Sequence, residues 1–449
     1  MMQPVTPLWS LRRCAAVVAA MLVLSGCGTG LFSGDDDENL PGTRISVLAL
    51  ERALRPDLDA INTEIRLPRP EDTASWPQAG GLSHHAMHHM LLGAAPRRVW
   101  SEDIGTGSGK RNRVLGEPVI AGGRVYTLDA EAVARAFDER SGKEIWKSKT
   151  APKIEDDGNF LGGGLGYDSG RIFVTGGYAQ VVALDAGNGR ELWRAAVDAP
   201  IRSSPTINGG RVFVITVENQ VVALAADDGR QLWTYSGAST ATILMGAAAP
   251  AVDGGVVIAP FTSGEVVALR VDNGSVLWSD NVVAVRRTEA AASLPDITAR
   301  PVIDRGRVYV AGHSGLLVAI DLRTGQRVWE QPVSAVYQPW IAGDFLYAVT
   351  IDSEAVCVDV RSGRILWVTQ LPRFEDEEDK DGRIVWAGPI VASDRVIVVS
   401  SDERALSLSP YTGNVLGTLE LSAPATLPPV VADATMYLLN DDGDLVAYR

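Results

Sequence analysis

Cysteine is almost missing from this chain: 449 residues contain three, at Cys14, Cys27 and Cys357. So few cannot build a disulfide framework. No block of five or more bases occurs, and Asp plus Glu outnumber Lys plus Arg by 55 to 41, for a net charge of −14. A phosphate backbone is repelled by such a surface, so no nucleic-acid partner is expected. After the N-terminal stretch there is no further apolar run of 18 or more residues, which excludes a multi-span helical membrane protein. The glycines at 162–164 are not followed by Gly-Lys-Ser/Thr, so they are turn glycines and not a phosphate loop. What is present is a sizeable apolar fraction, 46%, and 45 glycines. That composition suits a large core with many tight turns.

The N-terminus reads as a processing segment. Arg12 and Arg13 precede an eleven-residue apolar stretch, Cys14 to Leu24, too short to span a bilayer. It ends in Leu24-Ser25-Gly26-Cys27, which resembles the lipobox of bacterial lipoproteins. That resemblance implies a signal peptide over 1–26 and a lipidated Cys27, with Gly28 in the next position favouring the outer membrane. Acyl chains contribute about 0.8 kcal/mol per buried CH₂ and would anchor the protein firmly. The remaining Cys357 lies in an apolar alternating run and reads as a small core residue. Residues 28–43 are glycine-rich and acidic at Asp35 to Glu38, a flexible tether. Residues 44–75 are expected to form an extended arm, completing a 27–75 segment ahead of a 76–449 body.

Self-similarity dominates the body. An alternating strand, a turn and a tryptophan recur, as in Val181-Val182-Ala183-Leu184-Asp185…Gly189…Trp193 and Val221-Val222-Ala223-Leu224…Gly229…Trp233. Further copies end at Trp146, Trp278, Trp329 and Trp367, always with Gly four residues before Trp. A proline opens most units, at Pro118, Pro205, Pro250, Pro301, Pro339, Pro389 and Pro429, with Leu165 in the remaining place. Each unit therefore holds four short strands joined by Gly/Asp/Asn turns, a β-propeller blade. A seventh unit degenerates, with Gly417 in the tryptophan position, and an eighth stops after its third strand at Arg449. Arg97-Arg98-Val99-Trp100 has the strand-plus-Trp ending but no blade of its own. The pattern predicts an all-β, eight-bladed propeller of four-stranded antiparallel blades, the last closed by the N-terminal strand; seven blades is the alternative. The repeating tryptophans read as packing between blades.

The Ala-x-Asp-x-x-x-Gly-x-x-x-Trp unit is similar to the repeats of pyrroloquinoline-quinone (PQQ) enzymes. Two families share it: quinoprotein dehydrogenases and the outer membrane protein assembly factor BamB family of cofactor-free lipoproteins. The lipobox, short tether and lone propeller resemble the second. Trp76-Pro77-Gln78-Ala79-Gly80-Gly81 and Ser83-His84-His85-Ala86-Met87-His88-His89 resemble the N-terminal extension of its alphaproteobacterial members. The resemblance implies a non-enzymatic scaffold, lipid-anchored at the periplasmic face of the outer membrane. Its implied partner is the POTRA region of BamA within the β-barrel assembly machinery, with unfolded barrel proteins as clients. Family contacts map to two interblade loops. The matching stretches here carry Ile243, Leu244 and Met245 in one and Asp296 in the other. Met245 replaces a family arginine and Thr298 a family aspartate, which leaves an apolar cluster and one carboxylate at the edge of the contact. No catalytic residue, cofactor or metal is assigned. The alternatives are a periplasmic PQQ-dependent dehydrogenase, whose family uses a disulfide of adjacent cysteines that this chain lacks, and a scaffold lipoprotein of another envelope complex.

Two further clusters carry less. His84/His88 and His85/His89 would be i, i+4 pairs on a helix and able to hold Zn²⁺, but Ala86-Met87 leave no HExxH glutamate. A loop or single turn packed on the propeller is the expectation. The acidic run at 375–381 lacks EF-hand spacing and reads as a solvated excursion between blades.

Overall fold

Runs such as Val181-Val182-Ala183-Leu184 are apolar on both faces, so both faces must be covered. In the computed structural model they form the third strand of each blade. The structure describes residues 54–449 except 61–62, 110–111, 153–161, 241–247 and 284–295. Eight four-stranded antiparallel sheets follow one another. Blade one is Val119–Ala121, Arg124–Leu128, Val133–Asp138 and Glu144–Lys149. Blades two to seven span 163–196, 206–236, 251–281, 302–331, 340–370 and 386–420. The eighth combines Val430–Ala432, Thr435–Leu439 and Asp444–Tyr448 with the N-terminal strand Arg98–Asp103. That strand pairs antiparallel to the chain's last strand, with Trp100 opposite Ala447. The expected closure is therefore present, and the blade count is eight.

The register explains the repeat. Each tryptophan on an outer strand has a small cross-strand partner: Ala136, Ala183, Ala223, Ala268, Ala319, Cys357 or Ala447. A small residue leaves room for the indole over the sheet. Cys357 fills this slot in blade six, fully buried, and burial raises its thiol pKa well above the ordinary value. Each indole then reaches the next blade. Trp146 Nε1 donates to the Ala186 carbonyl at 3.0 Å, and Trp193 to Ala226, also at 3.0 Å. Trp100, Trp233, Trp278, Trp329 and Trp367 do the same to Glu139, Val271, Leu322, Val360 and Pro410. The motif glycine of the receiving blade lies against the ring. A Cβ on Gly229 would come within 2.6 Å of Trp193, and φ there is +74°. Only glycine meets both demands. The core is accordingly a set of layers between neighbouring sheets; blades one and two, for instance, bury Tyr126, Leu128 and Ala134 with Ile172, Val174 and Leu184.

Residues 73–92 run once around the central channel and touch every blade. Asp433 N–H of blade eight donates to Thr73 O. Trp76 exchanges backbone bonds with Ile120 of blade one, and Tyr167 N–H of blade two donates to Pro77 O. The Gln78 side chain accepts from Ile207 N–H of blade three at 2.8 Å. Val252 and Ile303 N–H groups of blades four and five donate to Ser83 and His84 carbonyls. Trp340 Nε1 of blade six donates to His88 O at 2.6 Å. Met90 N–H donates to Val391 O of blade seven at 3.0 Å. The chain then enters blade eight. This circuit pairs with the middles of the inner strands and plugs the channel at that level.

Candidate partner-binding face and channel

Every connection from an outer strand to the next inner strand lies on the same side of an antiparallel four-stranded blade series. The expected partner-binding stretches belong to two such connections, from blade three to four and from four to five. Ile243, Leu244 and Met245 lie outside the described residues, as does Cys27. Asp296 is described, and it is 2% exposed. Its carbonyl accepts from His313 N–H at 3.1 Å. The neighbouring Ile297 is buried, and Thr298 Oγ1 donates to Val336 O at 3.2 Å. In this conformation Asp296 is not the solvent-facing carboxylate that the resemblance implies. Apolar Ile297 beside it was the available signal for burial.

The same side carries the acidic excursion. Phe374–Asp376 and Asp381–Arg383 form a two-stranded hairpin between blades six and seven. Its carboxylates point to solvent, and Glu377 accepts from Arg373 N–H at 2.7 Å.

The four histidines at 84–89 adopt no helix, so the i, i+4 ligand pairs do not form. His85 and His88 have positive φ, +64° and +53°. His85 Nδ1 donates to Pro301 O at 2.7 Å, and desolvation, helped by Arg300, lowers its pKa to about 3. His89 Nδ1 donates to Pro68 O at 2.6 Å while its Nε2 accepts from Asp394 N–H at 2.9 Å. His88 sits 3.4 Å from the Asp304 carboxylate. These rings fasten the plug to the blades. Among the described residues no three His, Cys, Asp or Glu converge as a metal site.

Sequence reasoning missed the channel network. Arg300 pairs with Glu117, and its Nε donates to Gln338 Oε1 at 3.0 Å. Gly80 N–H donates to Glu117 Oε2 at 3.2 Å, and Gln338 Nε2 to His85 O at 2.8 Å. This ties blades one, five and six to the plug. A buried ion pair with this many satisfied hydrogen bonds tolerates its desolvation. Glu117, Arg300 and Gln338 each stand immediately before the proline that opens a blade. A residue before proline is held extended, and here that repeat position faces the channel. Ser204, Ala249 and Pro428 occupy the same position in other blades and also line it. Reading that column across the repeats would have found the network.

The family model described as outer membrane protein assembly factor BamB matches residues 129–369. An outer membrane protein assembly factor BamB from Salmonella typhimurium is 27% identical over 359 residues, covering 78% of this chain and 88% of its own. The crystal structure of BamB from Moraxella catarrhalis superposes with a TM-score of 0.67 at 18% identity, over 79% of this chain and 99% of the other. The quinohemoprotein alcohol dehydrogenase ADHIIG from Pseudomonas putida HK5 gives 0.66 at 14% identity, over 84% and 80%. The last two likenesses concern the fold alone. The quinone's implied disulfide platform has no counterpart here: Cys357, the one cysteine among the described residues, is buried within blade six opposite Trp367, away from the channel.

Proposed function

Since the chain belongs to the outer membrane protein assembly factor BamB family, we propose that it is a non-enzymatic scaffold lipoprotein of the β-barrel assembly machinery. The observation that carries this reading is the family match across 129–369, which runs from the third strand of blade one through blade six. In this reading Cys27 carries the lipid and holds the propeller at the periplasmic face of the outer membrane. No helix among the described residues is long and apolar enough to cross a membrane, so a separate anchor fits the rest of the chain.

The proposed partner is the POTRA region of BamA. Ile243, Leu244 and Met245 supply the apolar anchor, since apolar clusters in interblade loops mark interfaces. Asp296 contributes only if its loop turns the carboxylate outward. The outer strands present unpaired edges with exposed apolar residues such as Val99, Ile145, Leu192 and Leu277, which suit transient strand addition by an unfolded client.

The test is affinity purification of the full chain from detergent-solubilised envelopes, with Cys27→Ala alongside. The barrel-assembly subunits should co-purify with the wild type, and Cys27→Ala should leave the outer-membrane fraction. Capture of a different envelope complex would assign the scaffold elsewhere. Saturable binding of PQQ with Ca²⁺ would favour the dehydrogenase.

A further inference from the structure

Above the plug, the channel mouth holds a cavity of about 290 Å³. Binding sites for small ligands begin near this size, at roughly 300 Å³. Its walls are apolar where Leu115, Val336 and Leu427 contribute, and cationic where Arg113 and Arg202 do. Among the described residues one carboxylate lines it, Glu117, and Arg300 already pairs with that group. The described lining carries more Arg than carboxylate in a protein of net charge −14. Asp441, behind the lining, offsets part of the Arg113 charge.

Two buried polar atoms at this site lack hydrogen-bond partners. Ser203 is 2% exposed, and its Oγ is unpaired. Arg113 Nε is likewise buried and unpaired. Buried donors without acceptors are uncommon in native proteins and call for a partner. Both residues line the cavity, and their unpaired donor atoms are set within its wall.

We propose that this cavity binds an organic carboxylate carried on an apolar body. The carboxylate would accept from the Arg113 guanidinium and the Ser203 hydroxyl, a charge-assisted arrangement. The apolar body would cover Leu115, Val336 and Leu427. A compact phosphate would leave those walls uncovered. The same chemistry has two sources: a free aliphatic acid, or an acidic residue flanked by apolar ones on a polypeptide entering the mouth. The proposal does not depend on which protein the scaffold docks.

The test uses the full chain, calorimetry and saturation-transfer NMR. The probes are 4-methylpentanoate and the peptide Ac-Leu-Glu-Leu-NH2. Their uncharged counterparts, 4-methylpentanamide and Ac-Leu-Gln-Leu-NH2, are the controls. At least one carboxylate should bind saturably, with its amide weaker by about tenfold or more. Arg113→Gln and Ser203→Ala should each weaken it severalfold with the melting temperature unchanged; Ser203→Ala keeps the test decisive if Arg113→Gln misfolds. Binding of the acid alone assigns a free small molecule, and binding of the peptide alone a polypeptide. The proposal is overturned if neither carboxylate saturates, if the amides bind equally, or if the Ser203 variant binds as the wild type does.

Discussion

At the scale of single residues, the glycine–tryptophan pairing is the unit of cohesion. Each indole uses its ring against a glycine of the next blade and its N–H on a carbonyl of that blade. Gly229→Ala places a Cβ against Trp193 and a side chain at φ +74°. The backbone term alone costs about 1–2 kcal/mol, and overpacking adds about as much, so urea denaturation should register a loss of about 2–4 kcal/mol. Gly417→Ala is the control, because that glycine has open space around it; no loss is expected there. His85 sets a pH dependence. Its folded-state pKa is about 3 against an ordinary 6.5. Below pH 6.5 the unfolded chain takes up a proton that the folded chain refuses, so this residue's term erodes stability as pH falls toward 3. Between pH 7 and 5 it amounts to about 2 kcal/mol. His84 and His313 shift the same way, whereas the raised pKa values of Glu139, Glu354 and Asp441 act oppositely. The clean readout is a difference: His85→Gln should lose less stability from pH 7 to 5 than the wild type. Equal losses would place the titration elsewhere.

At the scale of elements, the N-terminal region does more than close a ring. The strand Arg98–Asp103 covers the edge of Asp444–Tyr448, and the circuit at 73–92 ties all eight blades together. Residues 63–75 also contribute, since Pro68 O accepts from buried His89, and Glu71 bridges to His89 and Leu91. A chain beginning at residue 63 should therefore melt near the wild-type temperature. One beginning at residue 94 should melt clearly lower. One beginning at residue 104 should melt lowest and aggregate, because a naked strand edge is exposed. Equal melting temperatures for the first and last would contradict the closure. Much of this was legible. Six Gly…Trp units, a degenerate seventh and a truncated eighth gave the blade count, and the orphan Trp100 strand gave the closure. The circuit was not legible, because most of it is held by backbone groups that leave no side-chain signature. The helix that His84/His88 spacing allows gave way to inner-strand pairing and positive φ at His85 and His88.

At the scale of the whole molecule, a ring crossed midway along its channel by the 73–92 circuit offers its faces and its outer rim to other proteins. The channel column before each blade-opening proline shows only when the repeats are aligned, because the residues there differ in type and share only their repeat position. The burial of Asp296 was signalled only by apolar Ile297 beside it, since a loop aspartate by itself reads as exposed. We propose that the face carrying the connection between blades three and four docks a POTRA region. The most direct measurement is the affinity of purified POTRA domains for wild type and Leu244→Asp, with thermal melting of both. A charge placed in the buried centre of an interface should cost about 2–4 kcal/mol, a loss of roughly 30- to 1,000-fold, with melting unchanged. Wild-type affinity in Leu244→Asp would rule this face out, as would a collapse of its melting temperature, which would make Leu244 a core residue.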